Sequence, residues 1–234
     1  MDDTETLPST VDCGVCGRAL IYSTESTTLK CSLCGREESS LIRCPAGHFI
    51  CDDCHGKPAL RVLAEVLGSA TSADPMILLE QAMAHPSVTM HGPEHHAIVP
   101  AVIVAAVATA GHRVPDGALD KAVERGRKVP GGWCGSHGSC GAAIGVGIAV
   151  SVLSEATPLK GEERSLSLAA TSFALSRMLD DQPRCCKRAS RVAVESAIDF
   201  LRDHLAVSLA TEGVGACTYT RRNAQCPGRA CPYY

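Results

Sequence analysis

The stretch Pro93-Glu-His-His-Ala-Ile-Val-Pro-Ala-Val-Ile-Val-Ala-Ala-Val-Ala-Thr-Ala-Gly111 decides the fold class. From Ala97 to Ala110 it has no charge and no alternation of apolar with polar residues. These fourteen residues are too few to span a bilayer, which takes about 20, and they suit a helix buried in a protein core. Pro93-Glu94 gives such a helix its first turn, and Gly111 ends it.

Working outward, the same punctuation recurs. Leu60, Leu63, Val66 and Leu67 repeat at helical spacing within 58–67. Asp74-Pro75 supplies an N-cap and a first-turn proline for a helix through Met83. Asp116 caps a charged, exposed helix reaching Arg127, and further helices are expected over 140–153, 162–179 and 187–209. Residues 57–234 therefore read as an all-α domain, and the chain as mainly α. Composition agrees: hydrophobic residues make up 45% but aromatics only 3%, and small aliphatic side chains favour closely packed helices.

Fourteen cysteines stand out. The acidic, polar start Met1-Asp-Asp-Thr-Glu-Thr-Leu-Pro8 shows no secretion pattern, so a cytoplasmic setting is expected, with thiols as metal ligands or reactive groups. Residues 1–12 read as a disordered lead and 13–56 as a zinc-binding module. The module carries Cys13-x2-Cys16, Cys31-x2-Cys34, Cys44-x3-His48 and Cys51-x2-Cys54. A two-residue gap lets both thiolates of one turn reach one ion, and tetrahedral zinc takes two such pairs. Gly17 and Gly35 follow the second cysteine of a pair, where the backbone must turn tightly. Eight ligands suffice for two zinc ions, with His55 to spare. Consecutive pairing, as in a zinc ribbon, puts Cys13, Cys16, Cys31 and Cys34 on one ion. Interleaved pairing joins Cys31, Cys34, Cys51 and Cys54, leaving Cys13, Cys16, Cys44 and His48. The segment 44–54 resembles the middle of a RING-type cross-brace, but its final cysteine pair is missing. Closed four-ligand sites are structural, so no chemistry is assigned to them.

Seven cysteines lie beyond the module. Cys134 and Cys140 flank the glycine-rich loop Gly135-Ser-His-Gly-Ser139, and Cys140 precedes a Gly/Ala-rich helix whose dipole would favour its thiolate. Cys185 and Cys186 stand between Arg184 and Lys187-Arg188, cations expected to depress their pKa values. Cys217, Cys226 and Cys231 lie on a Pro/Gly-containing tail that needs something to hold it. An iron–sulfur cluster on these three, with a fourth ligand from Cys185 or Cys186, meets that need, and a zinc site on the same residues is the alternative. His91, Glu94, His95 and His96 enter the buried helix as candidate acid, base or ligand groups. Formally His91-x-x-Glu94-His95 is an inverted zinc-peptidase motif, but Gly92-Pro93 keeps His91 off the helix. Pro100 also leaves the His96 carbonyl without its helical donor.

Met90-His-Gly-Pro-Glu-His-His96 with Val99-Pro-Ala101, Gly131-Gly-Trp-Cys134 with Gly138-Ser-Cys-Gly141, Ala156-Thr-Pro-Leu159, Pro183-Arg-Cys-Cys-Lys-Arg188, and Asn223-x-x-Cys226 with Cys231-Pro-Tyr233 together resemble one family. It is a cysteine-rich domain of unknown function from methanogenic archaea and anaerobic bacteria, some members of which are joined to methyltransferase domains. The chain has no strand and Gly-rich loop for S-adenosylmethionine, so the resemblance does not imply methyl transfer here. It implies an anaerobic, reducing setting in which oxygen-sensitive clusters are usable.

The expected function is therefore a metal-binding protein of anaerobic metabolism. As an enzyme it would be an iron–sulfur-dependent lyase or a sulfur-transfer enzyme acting on a small-molecule or sulfur-containing substrate. His91, Glu94, His95 and His96 would move protons, while Cys134, Cys140, Cys185 and Cys186 carry thiolate chemistry and Cys185, Cys217, Cys226 and Cys231 hold the cluster. A non-enzymatic zinc module that docks a protein, or a metal or sulfur carrier, is the alternative. The formal charge of −3 gives no general attraction to nucleic acid, and no membrane anchor is visible.

Overall fold

The computed structural model describes residues 13, 18–32, 34–52, 54, 63, 67, 70–85 and 87–234. The chain divides into two compact units, Met1–His55 and Gly56–Tyr234.

In the first unit, β1 (Ile21–Lys30) pairs antiparallel with β2 (Glu37–Arg43), with Ile21 opposite Arg43 and Lys30 opposite Glu37. Threonine, isoleucine and tyrosine suit extended backbone, although the register is irregular between Tyr22 and Thr27. The strands are only half-buried, and the apolar cluster consists of Cys31, Cys51 and Cys54 with Phe49 and Ile50 against it. Among the described residues of this unit only cysteines are fully buried, so ligation of a metal by these thiols would add what apolar burial there does not.

The second unit is helical: α1 (Pro75–Ala84), α2 (Glu94–Thr109), α3 (Ala118–Gly126), α4 (Trp133–Ser136), α5 (Gly141–Leu153), α6 (Gly161–Ser176) and α7 (Cys186–Leu205). A tail with two 3-10 turns, Thr220–Arg222 and Gly228–Ala230, follows. α2 is the hub and packs on α1, α3, α5 and α7. Every residue from Glu94 to Val107 is buried, as expected for a helix that is apolar all round. Asp74 caps α1 through Oδ1, which accepts from Met76 N at 2.8 Å, while its Oδ2 accepts from Glu212 N at 2.9 Å. The expected helix at 58–67 is described only at Leu63 and Leu67, which are both buried. No described helix is long and apolar enough to cross a membrane.

Small residues set the close crossings. A Cβ on Gly126 would lie 2.6 Å from Ala97 Cα and closer still to the His96 carbonyl oxygen, the one that Pro100 deprives of its donor. One on Gly145 would lie 2.9 Å from Pro100 Cδ. The helix expected from Asp116 is corrected by one residue: Gly117, at φ 65°, occupies the N-cap, and Asp116 instead accepts from Lys121 Nζ through its carbonyl. Nor is that helix wholly exposed, since Ala118, Ala122 and Gly126 are buried against the hub.

Candidate functional site

The first unit brings its thiols together in the interleaved arrangement. The ligand atoms of Cys31, Cys34, Cys51 and Cys54 all lie within 4.8 Å of one another, and so do those of Cys13, Cys44 and His48. Cys16, the expected fourth member of the second set, lies outside the described residues, as do Gly17 and His55. Tight turns close at Cys31–Gly35, Cys44–Gly47 and Cys51–Cys54. Gly35, at φ 75°, donates to the Cys31 carbonyl at 2.9 Å, and Cys51 N donates to Cys31 Sγ at 3.3 Å. Both sets can hold a tetrahedral ion such as zinc.

Burial, followed by hydrogen bonding among the four thiols, pushes Cys51 up to about 12. A divalent ion that displaces those protons binds more tightly as pH rises. Removing it with a strong chelator at neutral pH is expected to abolish amide protection across residues 21–43 while helical circular dichroism persists. Protection unchanged by a chelator that extracts the metal would show that the hairpin stands without it.

In the second unit, a buried polar group gathers where α2 and α7 begin. Thr89 N donates to Glu94 Oε1 at 2.9 Å, and the Thr89 hydroxyl lies 2.5 Å from the same oxygen and 2.8 Å from the His91 carbonyl. The Glu94 carboxyl folds back over Gly92, where any Cβ would collide with it. His95, 1% exposed, donates from Nδ1 to the Gly92 carbonyl at 3.0 Å, which leaves Nε2 as a buried lone pair without a hydrogen-bond partner. Asn223 bonds the His91 ring, whose Nδ1 has none either. Burial, with Lys187 nearby, drops His95 to about 3, and burial with Arg184 and Lys187 drops His91 to about 4. Both rings are therefore neutral bases or ligands near pH 7.

His96 belongs elsewhere. Successive residues on a helix face about a quarter-turn apart or more. Its Nδ1 donates to Val129 O at 2.9 Å, and its ring covers the α-carbon of Gly141. The histidine loop is thus two arrangements, His91–Glu94–His95 toward α7 and His96 toward α3 and α5.

The consecutive cysteines part in the same way. Cys185, the N-cap of α7, accepts from Arg188 N at 3.4 Å and lines a pocket with Cys217, Cys226 and Cys231. Met90, Arg188, Tyr219 and Asn223 complete much of its wall. Cys186 lies against Gly92 N instead, near Glu94 and Cys140. The tail is pinned over α7: Cys217 N donates to Tyr233 O at 2.6 Å, and the Tyr233 hydroxyl donates to Glu195 at 2.8 Å. Lys187 Nζ stands 4.8 Å from the centre of the Tyr219 ring.

The expected depression of the thiol pKa values is overturned. Burial pushes Cys186 up to about 12, outweighing the Gly92 N–H and Arg184, and it raises Cys185 and Cys140 against the pull of their helix N-terminal N–H groups. Dipoles and cations at these helix starts are weaker than the loss of water around a thiolate. Cys134 remains exposed on α4, where Trp133 stacks on His137. Cys140, Cys185 and Cys186 are therefore held as thiols near neutral pH.

Sequence reading missed Lys187, which has no exposure and donates to Met83 O at 3.0 Å. Burial lowers this lysine to about 8. Also missed were Thr89, Asn223 and Arg191, the last held by Glu80 through bonds of 2.6 and 2.9 Å. Only the apolar periodicity of α7 around Lys187 and Arg191 could have signalled that cations lay on the inner face.

These features define a thiol-rich helical domain accompanied by a small module able to bind metal. Residues 63–234 match the family of unknown function DUF5714, and the chain belongs to that family. Searches of curated proteins and of solved structures found no significant match.

Proposed function

We propose that this is an iron–sulfur protein of anaerobic metabolism, with Cys185, Cys217, Cys226 and Cys231 ligating one cluster and the N-terminal module holding two structural zinc ions. One observation carries the reading: a helix start and a separate tail bring four cysteines to the wall of a single pocket. Zinc needs its sulfurs crowded round one ion at about 2.3 Å each, as in the Cys31–Cys54 set. Among the described residues, the pocket cysteines form no such tight group. Wider spacing suits a cluster, where each thiolate binds a different iron. Cysteine on every iron leaves none open to substrate, which favours electron carriage over lyase chemistry. The His91, Glu94, His95 and Lys187 group beside it would supply proton transfer to a small substrate.

Anaerobic purification of the full chain, followed by iron, sulfide and zinc analysis with an absorption spectrum, tests this. Iron and sulfide in equal amounts, lost together in Cys226→Ser, are expected. Zinc alone would sink the cluster and leave a zinc-binding module that docks a partner.

A further inference from the structure

Among the groups lining the pocket, Arg188 is the one whose hydrogen bonding is unfinished. Its side chain is 8% exposed, and its Nε and Nη2 reach the two carboxylate oxygens of Asp180 at 3.1 Å each. Nη2 also donates to Pro183 O at 3.0 Å. This clamp fixes the plane of the guanidinium and leaves Nη1 buried without a partner. The other cation on the wall, Arg191, is held by Glu80 in a two-pronged pair and also bonds Cys217, so its hydrogen bonding is not left open as that of Arg188 is.

A charged N–H group left unpaired in a protein interior is costly, and native structures keep one where something absent from the protein atoms completes it. Four thiols share the pocket wall with this guanidinium. A cluster with four thiolates is a dianion when oxidised and a trianion when reduced. Hydrogen bonds to its sulfurs and nearby positive charge favour the reduced form and raise the potential. Asp180 offsets part of the guanidinium charge, but its side chain is 41% exposed and water screens it far better than it screens the buried Nη1.

We propose that Arg188 Nη1 donates a hydrogen bond to a sulfur of the cluster and sets its reduction potential, making the centre a one-electron carrier. This rests on the cluster reading above. In the redox step one electron passes from an external one-electron donor to the cluster. No bond forms or breaks, and the added negative charge meets the guanidinium. Arg188 is a positioning and tuning residue, since it reaches the irons only through sulfur.

The test is an anaerobic potentiometric titration of the full-length protein, with dithionite as donor and electron paramagnetic resonance as readout. Arg188→Gln is expected to keep its iron and sulfide and to move the midpoint to more negative potential. Arg188→Lys, which retains charge but loses the planar fork, should fall between that variant and the wild type. An unchanged midpoint in Arg188→Gln loaded with cluster overturns the proposal. Should that variant fail to load, wild-type protein labelled with guanidino-15N arginine decides the matter. A nitrogen coupling to the reduced cluster that survives in Arg191→Lys supports the bond, and its absence overturns it. Wild-type protein free of iron and sulfide would instead remove the cluster itself, an outcome distinct from a cluster indifferent to Arg188.

Discussion

Acidification from pH 6.5 toward pH 4 is expected to strip several kcal/mol of stability from the helical domain, a loss that begins above the range where carboxylates titrate. His91 and His95 are neutral in the folded state, with pKa values lowered from 6.5 to about 4 and about 3. The unfolded chain accepts protons that the folded chain refuses, so their contribution is complete above pH 6.5 and is lost as pH falls through the window. Each unit costs about 1.4 kcal/mol per histidine. His95 alone accounts for about 4 kcal/mol by the bottom of its range, against a total near 5–15 kcal/mol for a typical domain. The measurement is urea unfolding at successive pH values, followed by amide exchange within α2 and α7 so that events in the N-terminal unit do not intrude. His95→Gln should flatten the slope. A stability that stays level from pH 7 to pH 4 would mean the two imidazoles are hydrated in solution.

The second large effect comes from the smallest side-chain change available. Gly126→Ala is expected to cost about 2 kcal/mol or more, although alanine favours an exposed helix by about 1 kcal/mol. The added methyl would meet the His96 carbonyl and Ala97 Cα, which are backbone atoms of the hub helix and cannot rotate away. Gly161, at the first position of α6, is the control, because nothing lies near its missing Cβ. Gly161→Ala should leave stability level or raise it slightly. Equal thermal shifts for the two variants would mean the α2–α3 crossing is looser than the structure shows.

How far the sequence foretold all this can be read residue by residue. Asp74-Pro75 marks a helix start through local capping chemistry, and the apolar run after Pro93 marks the hub, so these were legible. The interleaved thiol sets were legible as one of two options, because ligand spacing constrains each turn but not which turns meet. The start of α3 was misplaced by one residue because Gly117 takes a left-handed conformation that Asp116 seemed to make unnecessary. The thiol pKa values were misjudged for a different reason. Cations and helix dipoles are visible in a string of letters, whereas burial is a property of the whole packed domain and here is the larger effect. Lys187 was overlooked on the same ground, since a cation in sequence reads as surface until the tail is seen lying over it.

The parting of Cys185 from Cys186 also bears on when the protein becomes competent. Three of the four thiols lining the pocket come from beyond residue 216, held there by the Cys217–Tyr233 and Tyr233–Glu195 bonds. The last α-helix ends at Leu205, so of these four thiols the helical part of the domain supplies only Cys185. On the proposed cluster reading, loading would report on finished folding, because a chain whose tail has not docked lacks three of the four ligands.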